Sequence, residues 1–323
     1  MKVLGRRTEV AVCGLAIAGA AAAVGCGGEG RQGTSGGRLR AVATTTIVGD
    51  LVRTIAGEDA DVDVLMGPGV DPHLYKASAG DVSRLGSAQI IFYNGLHLEG
   101  KMTEVLAGIN DRGVRTVAVG ECIPQELLIP LSGSAGLRDP HIWFDVALWA
   151  QTVDCVADEL STIDPTHADG YRQRAAALAS QLTVLDDEVR RRAAELPSER
   201  RVLVTAHDAF SYFGRAYGFE VRGLLGVSTA SEAGTADVTN LAAFIAERGI
   251  PAVFVETSVP PRFVQALREA VLSRGFEVAI GGSLYSDSLG DPGTPAGTYE
   301  GTVRANVETI VTALAGSEAS EDE

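Results

Sequence analysis

Histidine and cysteine are scarce in this chain: five His and four Cys among 323 residues. No Cys-x-x-Cys pair occurs, which excludes the usual thiolate zinc knuckles. His-Glu-x-x-His is absent as well, and with it the helix-borne zinc-protease motif. Basic residues are outnumbered, 27 Lys+Arg against 42 Asp+Glu, for a net charge of −15. Such a balance argues against binding a nucleic-acid backbone, which needs clustered Lys and Arg; it is compatible with a cation as ligand. Beyond the first thirty residues no stretch is apolar enough to cross a membrane. The chain is nonetheless 46% hydrophobic and 21% charged, enough to bury a core, and its length suits two domains of ordinary size.

The N-terminus reads as an address. Lys2, Arg6 and Arg7 precede an almost unbroken apolar run over 10–24. About fifteen apolar residues are too few to span a bilayer comfortably but suit a signal-peptide core. The run ends Ala23-Val24-Gly25-Cys26, similar to a bacterial lipoprotein cleavage box, in which the Cys is lipidated and becomes the new N-terminus. The alternative is a plain secretory signal cut nearby. Removal of 1–25 leaves 298 residues with 24 basic against 41 acidic side chains, net −17. The Gly-rich stretch 26–38 reads as a flexible tether, and 316–323 as an acidic, disordered tail. Cys122 and Cys155 then remain. An oxidising compartment permits a disulfide between them, and two buried free thiols fit the sequence as well.

The body alternates strands and helices. Short apolar, β-branched runs recur at 39–47, 62–66, 89–94 and 114–119, and again at 202–206, 220–224, 252–256 and 277–280. Helix-like segments such as 49–56, 79–85 and 238–248 lie between them, the pattern of parallel sheets built from βαβ units. One long helical segment, 165–196, separates the two sets. Leu178, Leu182, Leu185, Val189, Ala193 and Leu196 recur in it at steps of three or four, forming one stripe. No Pro or Gly interrupts it after Gly170, so it predicts a rod of about 40 Å. The predicted architecture is an α/β protein of two βα lobes, 39–164 and 198–315, joined by a rigid helix over 165–197.

Asp-Pro-His occurs twice, at Asp71-Pro72-His73 and Asp139-Pro140-His141. With 20 Asp and 12 Pro in the chain, a given His follows Asp-Pro by chance about 0.2% of the time, so two of five is not accidental. Pro holds the loop on a defined path, and the Asp can cap the following turn or bond the imidazole N–H that a metal does not use. His207 ends the apolar run Val202-Leu203-Val204-Thr205-Ala206, where ligands gather in parallel α/β sheets. Asp287 follows the last predicted strand in the analogous position. Taken singly, each of these reads as a capping or core residue. Jointly, two from each half, they read as one metal site in the cleft between two lobes. His97 reads as surface or packing, and His167 as solvent-exposed at the mouth of the long helix.

The chain resembles the solute-binding lipoproteins of zinc and manganese ABC importers (cluster A-I). The resemblance runs over about 41–314, through Thr44-Thr45-Thr46-Ile47-Val48-Gly49-Asp50, Gly69-Val70-Asp71-Pro72-His73, Tyr93-Asn94-Gly95-Leu96 and Asp139-Pro140-His141-Ile142-Trp143. It continues in Ala206-His207-Asp208-Ala209-Phe210, Val255-Glu256-Thr257-Ser258 and Leu284-Tyr285-Ser286-Asp287. It implies two lobes on a rigid helix, one metal held by His73, His141, His207 and Asp287, a membrane permease as partner, and a monomer anchored outside the cytoplasm through Cys26. Manganese-preferring members usually carry Glu at the third ligand; here it is His207. Three imidazoles and a carboxylate suit Zn²⁺, whereas Mn²⁺ prefers more oxygen. Yet the three-His treponemal type, whose Asn-Gly-Leu-His-Leu-Glu run this chain shares at 94–99, is associated with both ions. The His-rich loop of many zinc members is missing from 121–138. A reading from another class is a secreted zinc hydrolase, with Glu256 or Asp208 as base; a fourth protein ligand would close the shell that catalysis keeps open.

Overall fold

The computed structural model describes residues 37–131, 136–231 and 233–316. The expected leader 1–25, the lipidation site Cys26 and nearly all of the tether and tail lie outside the described residues. No helix among the described residues is long and apolar enough to cross a membrane.

The first lobe runs β1 (Leu39–Ala43), α1 (Thr46–Ala56), β2 (Ala60–Val64), α2 (Ala79–Ser87), β3 (Ile90–Tyr93), α3 (Thr103–Asn110) and β4 (Arg115–Ala118). Its strands form one parallel sheet in the order β2-β1-β3-β4. Central β1, apart from exposed Arg40, and β3 are apolar because helices cover both faces, while edge strand β2 alternates and turns Asp61 and Asp63 outward. Two expected bounds move. The strand expected over 39–47 stops at Ala43, because the Thr45 hydroxyl accepts the Val48 N–H and starts α1 there. The strand expected over 62–66 lies over Ala60–Val64; Leu65 and Met66 are apolar because they are buried in the loop beyond it.

Then follow α4 (Val146–Trp149), α5 (Thr152–Ile163) and α6 (Ala168–Ala194). Cys122 and Cys155 are joined, their Cα atoms 6.3 Å apart, which ties the turn after β4 to α5. Of the expected helix over 165–196, Pro165–His167 is a 3₁₀ turn and the 27 residues of α6 are α-helical. Leu178, Leu182, Leu185, Val189 and Ala193 form its buried stripe, as their spacing predicts.

The second lobe comprises β5 (Val202–His207), α7 (Ser211–Tyr217), β6 (Glu220–Leu225), α8 (Thr235–Arg248), β7 (Ala252–Glu256), α9 (Arg262–Leu272), β8 (Ala279–Leu284) and α10 (Tyr299–Ala315). β5 pairs with β6 and β7 with β8, all parallel, and β5 lies beside β7. Strand β8 begins at Ala279, two residues later than the expected 277–280, and continues through Gly281 and Gly282 to Leu284. A Cβ on Gly281 would meet Ala313 and Phe254 at 2.7 Å, and Gly282 has φ +140, so glycine lets α10 lie directly on the strand.

α6 is a shared layer rather than a free rod. One continuous core takes in α1, α5, α6, α7 and α10 with the inner faces of both lobes' strands. Separate clusters fill the outer faces, under α2 and α3 in the first lobe and under α8 and α9 in the second. Asp186, buried on α6, accepts from Tyr217 Oη (2.9 Å) and Arg190 Nε (2.8 Å), and the Val146 N–H bonds Tyr217 Oη (3.2 Å). The connector is therefore cross-braced to both sides.

Candidate metal centre

Each candidate residue sits where a strand or a turn delivers it. His73 lies in the loop between β2 and α2. His141 opens the 3₁₀ turn Ile142–Phe144, His207 is the last residue of β5, and Asp287 follows β8. All four are buried, at 4, 0, 0 and 1% exposure. The structure brings them together: one ligand atom from each lies within 4.8 Å of every other. His141 Nε2 is 3.3 Å from both His73 Nε2 and His207 Nε2. Asp287 Oδ1 is 3.4 Å from His141 Nε2 and 4.0 Å from His73 Nε2, and Oδ2 is 3.6 Å from His207 Nε2. A tetrahedral Zn²⁺ with bonds of about 2.0–2.1 Å needs donor atoms about 3.3–3.4 Å apart. Most of these separations match that spacing.

A surrounding set of acceptors turns the rings inward. Asp139 Oδ1 accepts the His141 backbone N–H (2.9 Å) and lies 2.8 Å from its Nδ1. Glu256 receives the His207 N–H on Oε1 (2.8 Å) and faces Nδ1 with Oε2 (2.5 Å). Each carboxylate holds the proton on Nδ1, so that when a cation displaces the proton from Nε2 the lone pair left there faces the centre. The first Asp-Pro-His differs: Asp71 accepts the His73 backbone N–H (2.8 Å) and the Thr229 hydroxyl (2.6 Å). The repeated motif thus shares the turn but not the imidazole bond. Asp287 is no helix cap; its Oδ2 accepts from Ser258 Oγ (2.7 Å) and Ser286 Oγ (3.3 Å), while Oδ1 is buried without a hydrogen-bond partner.

Burial drives the His73 pKa down to about 3. It opposes charge on His141 too, but the Asp139 and Asp287 carboxylates outweigh it and raise that ring to about 8. Burial is likewise overcome at His207, which Glu256 and Asp287 hold well above the usual imidazole value. Asp287 resists its own desolvation because the three rings keep it ionised, well below the ordinary carboxylate range. The cluster is thus a charged, desolvated pair of acid and base that a cation can enter by displacing protons.

The loop around His141 is pinned from several sides. Asn94 Nδ2 donates to Pro140 O (3.0 Å), Tyr212 Oη to Asp139 O (2.9 Å) and Trp143 Nε1 to Ser286 O (3.0 Å). The turn at Asn94 is strained: Leu96 and His97 have φ of 53 and 71. Buried Glu99 holds it by accepting from Asn94 N (2.8 Å), Gly95 N (3.1 Å) and Thr44 Oγ1 (2.7 Å). His97 is exposed, and His167 is half-exposed beside Asp164; neither joins the cluster. Asp208 accepts the Ser211 hydroxyl (2.9 Å) at the start of α7. Sequence reasoning missed the roles of Glu99 and Ser258. A carboxylate inside an apolar turn, and a hydroxyl just past the end of a buried strand, were the available signals.

Fold and site together define a two-lobed α/β binding protein with a three-histidine, one-aspartate cluster between its lobes. The chain belongs to the family described as ZnuA, zinc-uptake complex component A periplasmic, whose model matches residues 41–313. It is 53% identical over 286 residues to the zinc-binding protein TroA of Treponema pallidum (strain Nichols), covering 88% of this chain and 92% of that one. It is 46% identical over 293 residues to the manganese-binding lipoprotein MntA of Bacillus subtilis (strain 168), covering 91% and 95%. The solved structure of the periplasmic zinc-binding protein TroA from Treponema pallidum superposes with a TM-score of 0.83 at 54% identity, over 86% of this chain and 99% of that one.

Proposed function

We propose that this chain is the extracytoplasmic receptor of an ABC importer. It captures one divalent transition-metal ion, Zn²⁺ in preference to Mn²⁺, on His73, His141, His207 and Asp287, and delivers it to a membrane permease. In this reading 1–25 is a signal peptide, Cys26 carries the lipid, 26–38 is the tether, and the monomer works from the outer face of a membrane. The lobes divide as 39–164 and 198–315 around the 165–197 connector.

One observation carries the reading: Asp287 Oδ1 is fully buried, unpartnered, and faces two imidazole Nε2 atoms. An ionised carboxylate oxygen in that setting needs positive charge beside it, supplied by protons on the imidazoles or by a cation that displaces them. Relatives named for zinc and for manganese keep both ions in play. The three-nitrogen, one-oxygen donor set favours Zn²⁺, which also leads Mn²⁺ in the Irving–Williams order. Hydrolysis is disfavoured: four protein donors close the shell, and Glu256 and Asp208 are engaged with His207 and Ser211.

Titration calorimetry on His141→Ala and Asp287→Ala tests this directly. Each substitution should lower Zn²⁺ affinity at least about 100-fold, since it removes a direct ligand where even outer partners are worth 10–100-fold. His97→Ala should leave it unchanged. Undiminished affinity in both ligand variants would overturn the assignment. Elemental analysis of the purified protein, with Zn²⁺/Mn²⁺ competition, identifies the ion.

A further inference from the structure

We propose that the ion enters and leaves past His73, and that Thr229 and Ser288 are positioning residues that clasp the His73 loop shut and so set the rate of release. The proposal rests on the receptor reading above.

The side of the site that carries His141 and His207 is stitched across the lobes. α7 follows His207 closely in the chain, and its side chains reach the segment around His141. Tyr212 Oη donates to Asp139 O (2.9 Å) and accepts the Ile129 N–H (3.0 Å). Tyr217 Oη accepts the Val146 N–H (3.2 Å). Arg215 donates to Leu127 O (2.6 Å) and to Asp145 Oδ2 (3.3 Å). These bonds lie on both flanks of His141, and Glu256 fixes His207 in turn. Parting the lobes between the two histidines would break the whole set together.

His73 is held more lightly. It sits in the irregular loop between β2 and α2, and among the described residues no carboxylate bonds its Nδ1. It is the most exposed of the four ligands, at 4%, and Leu74 beside it is 48% exposed. Two bonds tie this loop to the second lobe. Asp71, which accepts the His73 backbone N–H on Oδ1 (2.8 Å), accepts the Thr229 hydroxyl on Oδ2 (2.6 Å). The Gly69 N–H donates to Ser288 Oγ (2.8 Å). Gly69 has φ +72, a conformation that favours glycine and lets the backbone turn there. Both ties end on side-chain hydroxyls of the second lobe. Releasing them frees the loop and its ligand while the stitched side stays closed, a smaller opening than separation of the lobes.

The test measures the rate of Zn²⁺ release by stopped flow into excess chromophoric chelator, at the plateau where the rate no longer depends on chelator. The unaltered protein is compared with Thr229→Val, Ser288→Ala and the double variant. Thr229→Val removes a hydrogen bond to a charged acceptor and should speed release about tenfold. Ser288→Ala removes a neutral bond and should give a smaller rise, and the double variant the largest. Thr229→Ser, which keeps the hydroxyl, should retain the slow rate. Arg215→Met removes two bonds of the stitched side and should leave the rate unchanged. Either single variant decides the question if the double variant does not fold. No rise in the clasp variants, or an equal rise in Arg215→Met, would overturn the route and leave the receptor reading intact. Failure of the unaltered protein to bind Zn²⁺ would remove the receptor reading itself.

Discussion

Glu256 holds His207 at two points, its carboxylate bonding the backbone N–H through Oε1 and facing the ring Nδ1 through Oε2. The last residue of β5 is thus locked to the last residue of the neighbouring β7. Both the position of the imidazole and its tautomer follow from that single side chain. In Glu256→Gln the charge that favours Nδ1–H is lost while the shape is kept. Zn²⁺ affinity should fall about 10–100-fold with little loss of stability, measured by calorimetry and thermal unfolding in parallel. Unchanged affinity would mean that the carboxylate only packs.

Proton release should accompany metal binding. His141, raised to about 8, and His207, held higher than usual, carry protons at pH 7 before the ion arrives; His73, pushed down to about 3, does not. The ion displaces those protons, so affinity rises with pH through the His141 value of about 8. It weakens below that by about tenfold per pH unit for each proton displaced. Calorimetry at pH 7 in buffers of different ionisation enthalpy counts the protons directly. A count of zero contradicts the argument.

The bridge between Cys122 and Cys155 closes a loop of 33 residues. Opening a loop of that size should lower stability by roughly 3–4 kcal/mol in the chain-entropy model. Denaturant midpoints of the oxidised protein and of the Cys122→Ala/Cys155→Ala variant measure the difference. Identical midpoints would show that the bridge contributes no stability.

Because the core of α1, α5, α6, α7 and α10 runs through both lobes, they should not unfold separately. Leu185, fully buried on α6, is the point to probe. Leu185→Ala should cost about 2–5 kcal/mol, yet unfolding should stay a single transition seen equally by backbone and aromatic signals. Two resolved transitions would show that the connector joins independent lobes.

Much of this was legible along the chain because it is written in local patterns. Apolar β-branched runs, the stripe on α6 and the doubled Asp-Pro-His depend on spacing alone, and they indicate two βα lobes, a long helix and four chemistry-bearing side chains. The strand bounds at Ala43 and Leu284 shifted because a threonine cap and two glycines packed under α10 overrode the hydrophobic pattern. The convergence of His73, His141, His207 and Asp287 spans more than 200 residues, and only the packing of both lobes on a shared helical layer decides it. The same holds for the partners of each ligand. Asp139 sits two residues from its histidine and could be guessed, whereas Ser258 reaches Asp287 across the paired strands β7 and β8 and Glu256 reaches His207 through the packing of β7 beside β5, so that the tertiary fold, and not chain order, makes the neighbour.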